Sequence, residues 1–128
     1  MQKFLTLACA MLFVALASFK PLTGLDEVIA ALKTGNASEL SRYLDDNVEI
    51  SLPDKANSYS KAQSVMILQD FFSTTGVRNF QVKHNGNNGG NQFCIGTLQT
   101  RSGNYLTTIF MKSKNGYQLI KQVIFQSL

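Results

Sequence analysis

The sequence contains few of the residues on which disulfide and metal chemistry depend. Its 128 residues include two cysteines, one histidine and no tryptophan. Two cysteines are too few for a disulfide framework, and together with one histidine they do not form a conventional zinc cluster. We therefore expect no metal site and no cofactor. The length suits one domain, and a hydrophobic fraction of 45% is typical of a globular protein.

Charged residues are also sparse, at 16% of the chain. Twelve lysines and arginines against eight aspartates and glutamates give a modest formal charge of +4. The basic residues are dispersed, apart from Lys112, Lys114 and Lys121 around the predicted last hairpin. Recognition of phosphates usually needs a denser basic face, so nucleic acid is not an expected partner.

The N-terminal residues 1–17 predict a signal peptide. A lysine near the N-terminus precedes an apolar stretch from Phe4 to Leu16, and a small-x-small pattern ends at Ala17. The stretch is shorter than the ~20 residues that span a bilayer, so no membrane span is expected. The alternative is a buried helix, but the stretch has no amphipathic face. We expect cleavage near Ala17, a periplasmic or extracellular location, and one domain over 18–128.

Three helices are predicted after this segment. Apolar residues at helical spacing predict the first from Leu25 to Leu32, ended by Gly35. An Asn-x-x-Glu pattern at Asn36 begins a short second helix. A Ser-x-x-Gln capping box at Ser60 begins a third, predicted from Lys61 to about Thr74.

The remaining patterns predict strands. Alternation over Val48–Leu52 predicts a first strand with a brief return at Ser58–Tyr59, and Asn85–Asn91 is predicted as a polar connection. Four strands are predicted after the third helix: one at Phe80–Val82, and others at Phe93–Thr100, Tyr105–Lys112 and Tyr117–Gln126. Strands that follow helices in this order predict an α+β domain with a curved antiparallel sheet. Cys94 lies inside one strand, where a buried, unreactive side chain is expected because no base lies near it in sequence.

Several short motifs carry a resemblance to known families. They are Lys33-x-Gly35-Asn36-Ala37, Leu52-Pro53-Asp54-Lys55, Tyr59-Ser60-Lys61-Ala62-Gln63, Asp70-Phe71-Phe72 and Ile95-Gly96-Thr97-Leu98. The order of elements resembles the nuclear-transport-factor-2-like superfamily, and the motifs are similar to secreted bacterial proteins catalogued as domain of unknown function 4783. The resemblance implies a cystatin-like cone, with three N-terminal helices packed on the concave side of a curved antiparallel sheet. It implies no established activity, because this fold carries both enzymes and non-catalytic modules.

The carboxylates do not match the catalytic pattern of the steroid-isomerase-like members. Those members carry a carboxylate before a proline at the end of the first strand, whereas Leu52 precedes Pro53 here. Asp54 follows the proline in a turn, where we expect it to be solvated. Asp45 and Asp46 are expected to bind local backbone N–H groups at the end of the second helix.

His84 is the only histidine, the residue type that most often serves as a general acid or base. His84 would point inward with Phe80 and Val82 if the strand continued that far, because alternate residues of a strand share a face. An Asn-Gly pair follows it directly, however, which favours an exposed position at a strand end. We therefore expect no catalytic residue. The alternative function is a small acid–base enzyme, isomerase-like or dehydratase-like, that uses a pocket carboxylate or His84.

The last two predicted strands carry apolar residues on both faces. Within Tyr105–Met111 and Tyr117–Phe125, apolar side chains occur at both odd-numbered and even-numbered positions, so both faces of each strand carry them. The helices can cover only one of these two faces. We expect the other face to pack against a second copy, as proteins of this superfamily commonly do. The alternative is a monomer in which strand twist and the third helix account for the burial.

The expected function is that of an exported, non-catalytic binding module. It would bind a small apolar ligand inside the cone, or an envelope protein through the sheet. The candidate ligand-binding residues at the mouth of the cone are Tyr43, Leu44, Phe71, Phe72 and Phe93. The same residues would also suit an ordinary filled core. An open cone would favour ligand binding, and a filled cone would favour a purely structural role.

Overall fold

The computed structural model describes residues 24–128, which contain three α-helices and six β-strands. The predicted signal peptide at 1–17 and its cleavage point near Ala17 lie outside these residues. The helices are α1 (Leu25–Thr34), α2 (Ala37–Leu40) and α3 (Lys61–Thr75), with a 3₁₀ turn at Ser41–Tyr43. The strands are β1 (Leu44–Leu52), β2 (Lys55–Ser60), β3 (Val77–Asn88), β4 (Asn91–Thr100), β5 (Gly103–Lys114) and β6 (Tyr117–Ser127).

The helix boundaries follow the local capping chemistry. The Asn36 side chain accepts a hydrogen bond from the Glu39 backbone N–H at 3.0 Å, which begins α2. Ser60 and Gln63 exchange side-chain and backbone hydrogen bonds of 3.2 Å, which confirms the capping box at the start of α3. Gly35 ends α1 at a φ of 64°, a conformation that favours glycine.

The strand order is β2-β1-β6-β5-β4-β3. All neighbours are antiparallel except β1 and β6, which run parallel, with Ile50 opposite Val123. The prediction of a wholly antiparallel sheet is therefore wrong at this pair, because the last strand returns beside the first one after the α3 crossover. The arrangement of three N-terminal helices is not confirmed either, since α3 lies between β2 and β3.

The predicted polar connection at Asn85–Asn91 is instead the tip of a long β3–β4 hairpin. Its turn is Gly89-Gly90, with φ values of 61° and 91° that suit the left-handed positions of a two-residue turn. The Asn87 side chain accepts a hydrogen bond from the Gly90 N–H at 2.8 Å, and the Gln118 amide donates one to the Gly90 carbonyl at 2.7 Å. These side-chain contacts support the strand pairing in the polar segment that follows the apolar residues of β3 and precedes those of β4.

The helices pack on one face of the sheet, which we call the inner face, and fill it with a hydrophobic core. Phe125 on β6 is 1% exposed, and its ring centroid lies 4.5 Å from that of Phe71 and 6.1 Å from that of Phe72. Tyr105 adds an edge contact with Phe71 at 5.2 Å. The side chains of α3 therefore occupy the space in front of the central strands.

Cys94 lies fully buried on the inner face. Burial raises the pKa of its thiol to about 11, so the thiol stays protonated at neutral pH. The prediction of a buried cysteine is confirmed. In the described part of the chain, the helices lack the length and apolar character needed to cross a membrane.

Candidate functional site

The five candidate ligand-binding residues do not meet at one cavity. Phe71 and Phe72 lie together in the core, with ring centroids 6.1 Å apart, and Leu44 is buried in the same core. Tyr43 is half-buried and lines a cleft at the surface. Phe93 lies on the opposite face of the sheet, since its neighbour Cys94 points into the core. Whether any of the five binds a ligand stays a prediction.

A cleft of about 560 Å³ lies between the 3₁₀ turn and the β5–β6 hairpin, and we call it the hairpin cleft. The turn places Tyr43 and the start of β1 on one side, and the Asn115-Gly116 turn places Lys114 and Tyr117 on the other. The lining residues used below are Arg42, Tyr43, Asp45, Asp46, Lys114, Asn115 and Tyr117. Aromatic and charged side chains therefore meet in one concave site.

Asp45 is the buried charge of the hairpin cleft, with a side chain only 10% exposed. Its Oδ1 accepts hydrogen bonds from the Asp46 backbone N–H at 2.8 Å and from Lys114 Nζ at 3.2 Å. Burial by itself would raise the pKa of Asp45, but these two donors outweigh it and hold the pKa below the ordinary value of 3.8. Asp45 is therefore an ionised hydrogen-bond acceptor at neutral pH, and the predicted contact with a local backbone N–H is confirmed for Asp45. The predicted position at a helix end is wrong, because Asp45 and Asp46 both lie in β1.

Tyr43 supplies the opposite hydrogen-bonding character. Burial, and after it the Glu27 carboxylate, raises the pKa of the Tyr43 phenol above its ordinary value of 10.0. The phenol stays protonated at any physiological pH and can donate a hydrogen bond.

The ion pair at Asp45 gives a testable dependence of stability on pH. Because the pKa of Asp45 is lowered in the folded chain, its ionised form stabilises the fold above pH 3.8, and this contribution is lost as the pH falls through the folded-state pKa. The loss of stability on substituting Asp45→Asn should therefore be largest near neutral pH and should shrink in acid, as measured by urea unfolding across pH.

Asp46→Asn is the matched control for this measurement. The Asp46 carboxylate lies 3.8 Å from the same Lys114 Nζ, but its side chain is 87% exposed, so its loss should change stability little at any pH. A difference between wild type and Asp45→Asn that stays constant with pH would contradict the assignment.

His84 does not face the core or the hairpin cleft. A bulge between Val82 and His84 shifts the register of β3, so that His84 pairs with Ile95 and is exposed. Its ring centroid lies 5.5 Å from that of Phe93. The predicted exposure is confirmed, although β3 continues past His84 to Asn88. Asp54 is exposed in the turn after β1, and residues 24–128 hold no cluster of His, Cys, Asp and Glu that could bind a metal ion.

The face of the sheet opposite the helices, which we call the outer face, is largely apolar on β4, β5 and β6, with Lys112 and Lys121 beside Phe93 and Phe110 at one end. Across the strands Phe93 pairs with Phe110, and Thr108 pairs with both Ile95 and Ile124. Among residues 24–128 no helix packs on this face, and Phe110 is 41% exposed. The uncharged side chains of the outer face on β4, β5 and β6 are Phe93, Ile95, Thr97, Leu106, Thr108, Phe110, Gln122 and Ile124.

The sequence identified this surface only in part. The apolar residues of β5 and β6 predicted a second apolar face, but Phe93 was assigned to the mouth of the cone. The sequence did contain a signal for its position. Phe93 lies an odd number of residues from Cys94 and Leu98, and neighbouring residues of a strand point to opposite sides, so Phe93 lies on the outer face.

A curved six-stranded sheet with helices on one face defines a nuclear-transport-factor-2-like α+β protein. Such a protein of unknown function from Cytophaga hutchinsonii ATCC 33406 is 13% identical to this chain, with a TM-score of 0.62 over 87% of this chain and 94% of that one. This likeness shows the fold alone.

The model for the family named Domain of unknown function (DUF4783) matches residues 25–126, and the chain belongs to that family. A crystal structure of a DUF4783 family protein from Bacteroides uniformis ATCC 8492 is 31% identical, with a TM-score of 0.78 over 80% of this chain and 95% of that one. Another from Bacteroides fragilis YCH46 is 31% identical, with a TM-score of 0.77 over 86% and 100% of the two chains. No curated protein is significantly similar in sequence.

Proposed function

We propose that this DUF4783 protein is an exported, non-catalytic binding module that works as a homodimer through its outer face. The observation that carries the proposal is the apolar outer face, which no described helix covers. Contiguous apolar patches of this kind mark interaction sites in soluble proteins. Export to the periplasm or the exterior rests on the signal-peptide pattern of residues 1–17.

A second copy is the occupant that this surface favours. The centre of the outer face, from Ile95 across Thr108 to Ile124, carries no charge, and a second copy can bury it in mutual contact. Lys112 and Lys121 lie beside Phe93 and Phe110 at one end of this face. Ten-residue strands about 4.8 Å apart give a six-stranded sheet a projected area of roughly 950 Å², and the three apolar strands make up about half of it, so the contact would extend over the flanking strands as well. A standard protein interface buries about 800 Å² on each partner.

The inner face supports a filled core rather than a ligand chamber. Phe71, Phe72 and Phe125 are buried in mutual contact where a small apolar ligand would have to lie. Acid–base catalysis is not favoured either, because Asp45 is held ionised by Lys114 and His84 is exposed on the other side of the sheet.

Phe110→Glu tests the dimer. A carboxylate in place of Phe110 would lose its hydration against the apolar side chains of a second copy, and this desolvation costs several kcal/mol even with Lys112 and Lys121 nearby. We expect wild type to sediment as a dimer at micromolar concentration and Phe110→Glu to sediment as a folded monomer, with folding checked by circular dichroism.

Met66→Glu is the matched control, since Met66 is an apolar residue of α3 that is 71% exposed and lies off the outer face. It should sediment as wild type does. A wild-type protein that remains monomeric at high concentration, or a Phe110→Glu variant that remains dimeric, contradicts the proposal.

A further inference from the structure

We infer that the hairpin cleft binds a neutral polyhydroxylated ligand, a sugar or a short glycan. The inference rests on the proposed binding role, but it does not depend on the outer face that forms the dimer.

The hairpin cleft has a size and an aromatic lining that suit a sugar. Its volume of about 560 Å³ lies within the range of about 300–1,000 Å³ typical of small-molecule sites. Tyr43 and Tyr117 line it, and Tyr117 is 68% exposed. A tyrosine ring offers an apolar face with a polar tip, which suits the apolar C–H face and polar edge of a sugar ring.

Positive and negative charges balance in the lining of the hairpin cleft. Arg42 and Lys114 oppose Asp45 and Asp46, so the lining carries no net charge that would attract an anion or a cation. The charges are also already engaged. Lys114 Nζ lies 3.2 Å from Asp45 and 3.8 Å from Asp46, and Arg42 Nε lies 3.9 Å from Glu39. A charged ligand would have to compete with the 3.2 Å pair between Lys114 and the buried Asp45, whereas a neutral ligand can bind beside it.

The lining of the hairpin cleft contains both hydrogen-bond donors and hydrogen-bond acceptors. Asp45 is held ionised and accepts hydrogen bonds, while Lys114 and the protonated Tyr43 phenol donate them. The Asn115 side-chain amide does both. A hydroxyl group is one donor and two acceptors on a single atom, so a ligand rich in hydroxyl groups can satisfy both kinds of partner in a small volume.

The experiment is a titration of the isotope-labelled full-length protein, followed by backbone amide NMR. The neutral probes are glucose, galactose, mannose and N-acetylglucosamine, and the charged counterparts are glucuronic acid and glucosamine. We expect at least one neutral sugar to shift the signals of residues 42–46 and 114–117 saturably, and to bind more tightly than its charged counterparts.

Tyr117→Ala should weaken that binding by roughly tenfold, because it removes the exposed aromatic wall. Met66→Ala is the matched control, since it truncates a side chain of similar exposure far from the hairpin cleft, and it should leave the affinity unchanged. The inference is overturned if no neutral sugar saturates these signals, if Tyr117→Ala binds as tightly as wild type, or if a charged counterpart binds more tightly.

Sedimentation of the same samples separates this inference from the dimer. A dimeric protein that binds no sugar overturns the ligand assignment and leaves the homodimer standing. A monomeric protein that binds a sugar through Tyr117 overturns the homodimer and leaves the ligand assignment standing.

Discussion

Replacing Phe125 with alanine is expected to lower the free energy of unfolding by about 3–5 kcal/mol. Phe125 is 1% exposed and lies at the centre of the contact between α3 and the sheet. Its ring centroid is 4.5 Å from that of Phe71 and 6.1 Å from that of Phe72. Truncation removes the buried ring and leaves a cavity. Phe71 and Phe72 cannot fill this cavity, because α3 holds both of them in place.

Urea unfolding at one fixed protein concentration measures this loss, since a dimer makes stability depend on concentration. Met66→Ala is the control, because it shortens a side chain that is 71% exposed and should change stability by about 0.5 kcal/mol or less. A loss below about 1 kcal/mol for Phe125→Ala would contradict a packed inner face. It would also favour an open cone with room for a ligand.

Replacing Gly96 with alanine is the second large effect, with an expected loss of about 1–3 kcal/mol. Gly96 is buried on the inner face of β4, where a Cβ would lie 2.5 Å from the Gln81 carbonyl oxygen and 2.7 Å from Phe80 Cζ. The Gln81 oxygen belongs to the neighbouring strand, and the Phe80 ring is itself 1% exposed. Neither can move aside without disturbing the sheet or the core.

Gly86→Ala is the matched control for this substitution. A Cβ at Gly86 would lie 2.9 Å from Phe93 Cε1, but it would meet only the edge of this one ring, whereas a Cβ at Gly96 also meets a backbone carbonyl. Thermal unfolding followed by circular dichroism should show a larger loss for Gly96→Ala than for Gly86→Ala. Equal losses would mean that the contact between Phe80 and Gly96 is not the constraint described here.

Features set by local chemistry could be predicted from the sequence. The capping box at Ser60 begins α3 as expected, and α3 extends one residue past the predicted end. Asn115 and Gly116 adopt φ values of 53° and 81°, which confirms the hairpin predicted from that pair. Each of these features depends on residues within about four positions of one another, so a short stretch of sequence contains all the groups that interact.

Features that depend on distant residues could not be predicted. The parallel pairing of Ile50 with Val123 joins the first and last strands, and no pattern of neighbouring residues indicates it, because the two residues lie far apart in the sequence. The bulge beside His84 reverses the face that strand parity predicts, because one extra residue changes every following side chain to the other side. The hairpin cleft has the same origin, since Asp45 and Lys114 meet only through the β1–β6–β5 pairing.

The most direct test of the account is whether the outer face lies against a second copy in solution. Isotope-filtered NOE spectra of an equal mixture of labelled and unlabelled protein report only contacts between protomers. The account predicts NOEs from the methyl groups of Ile95, Leu106 and Ile124 to protons of the unlabelled chain. An absence of such NOEs at a concentration where sedimentation finds a dimer, or NOEs confined to residues of α3, would contradict it.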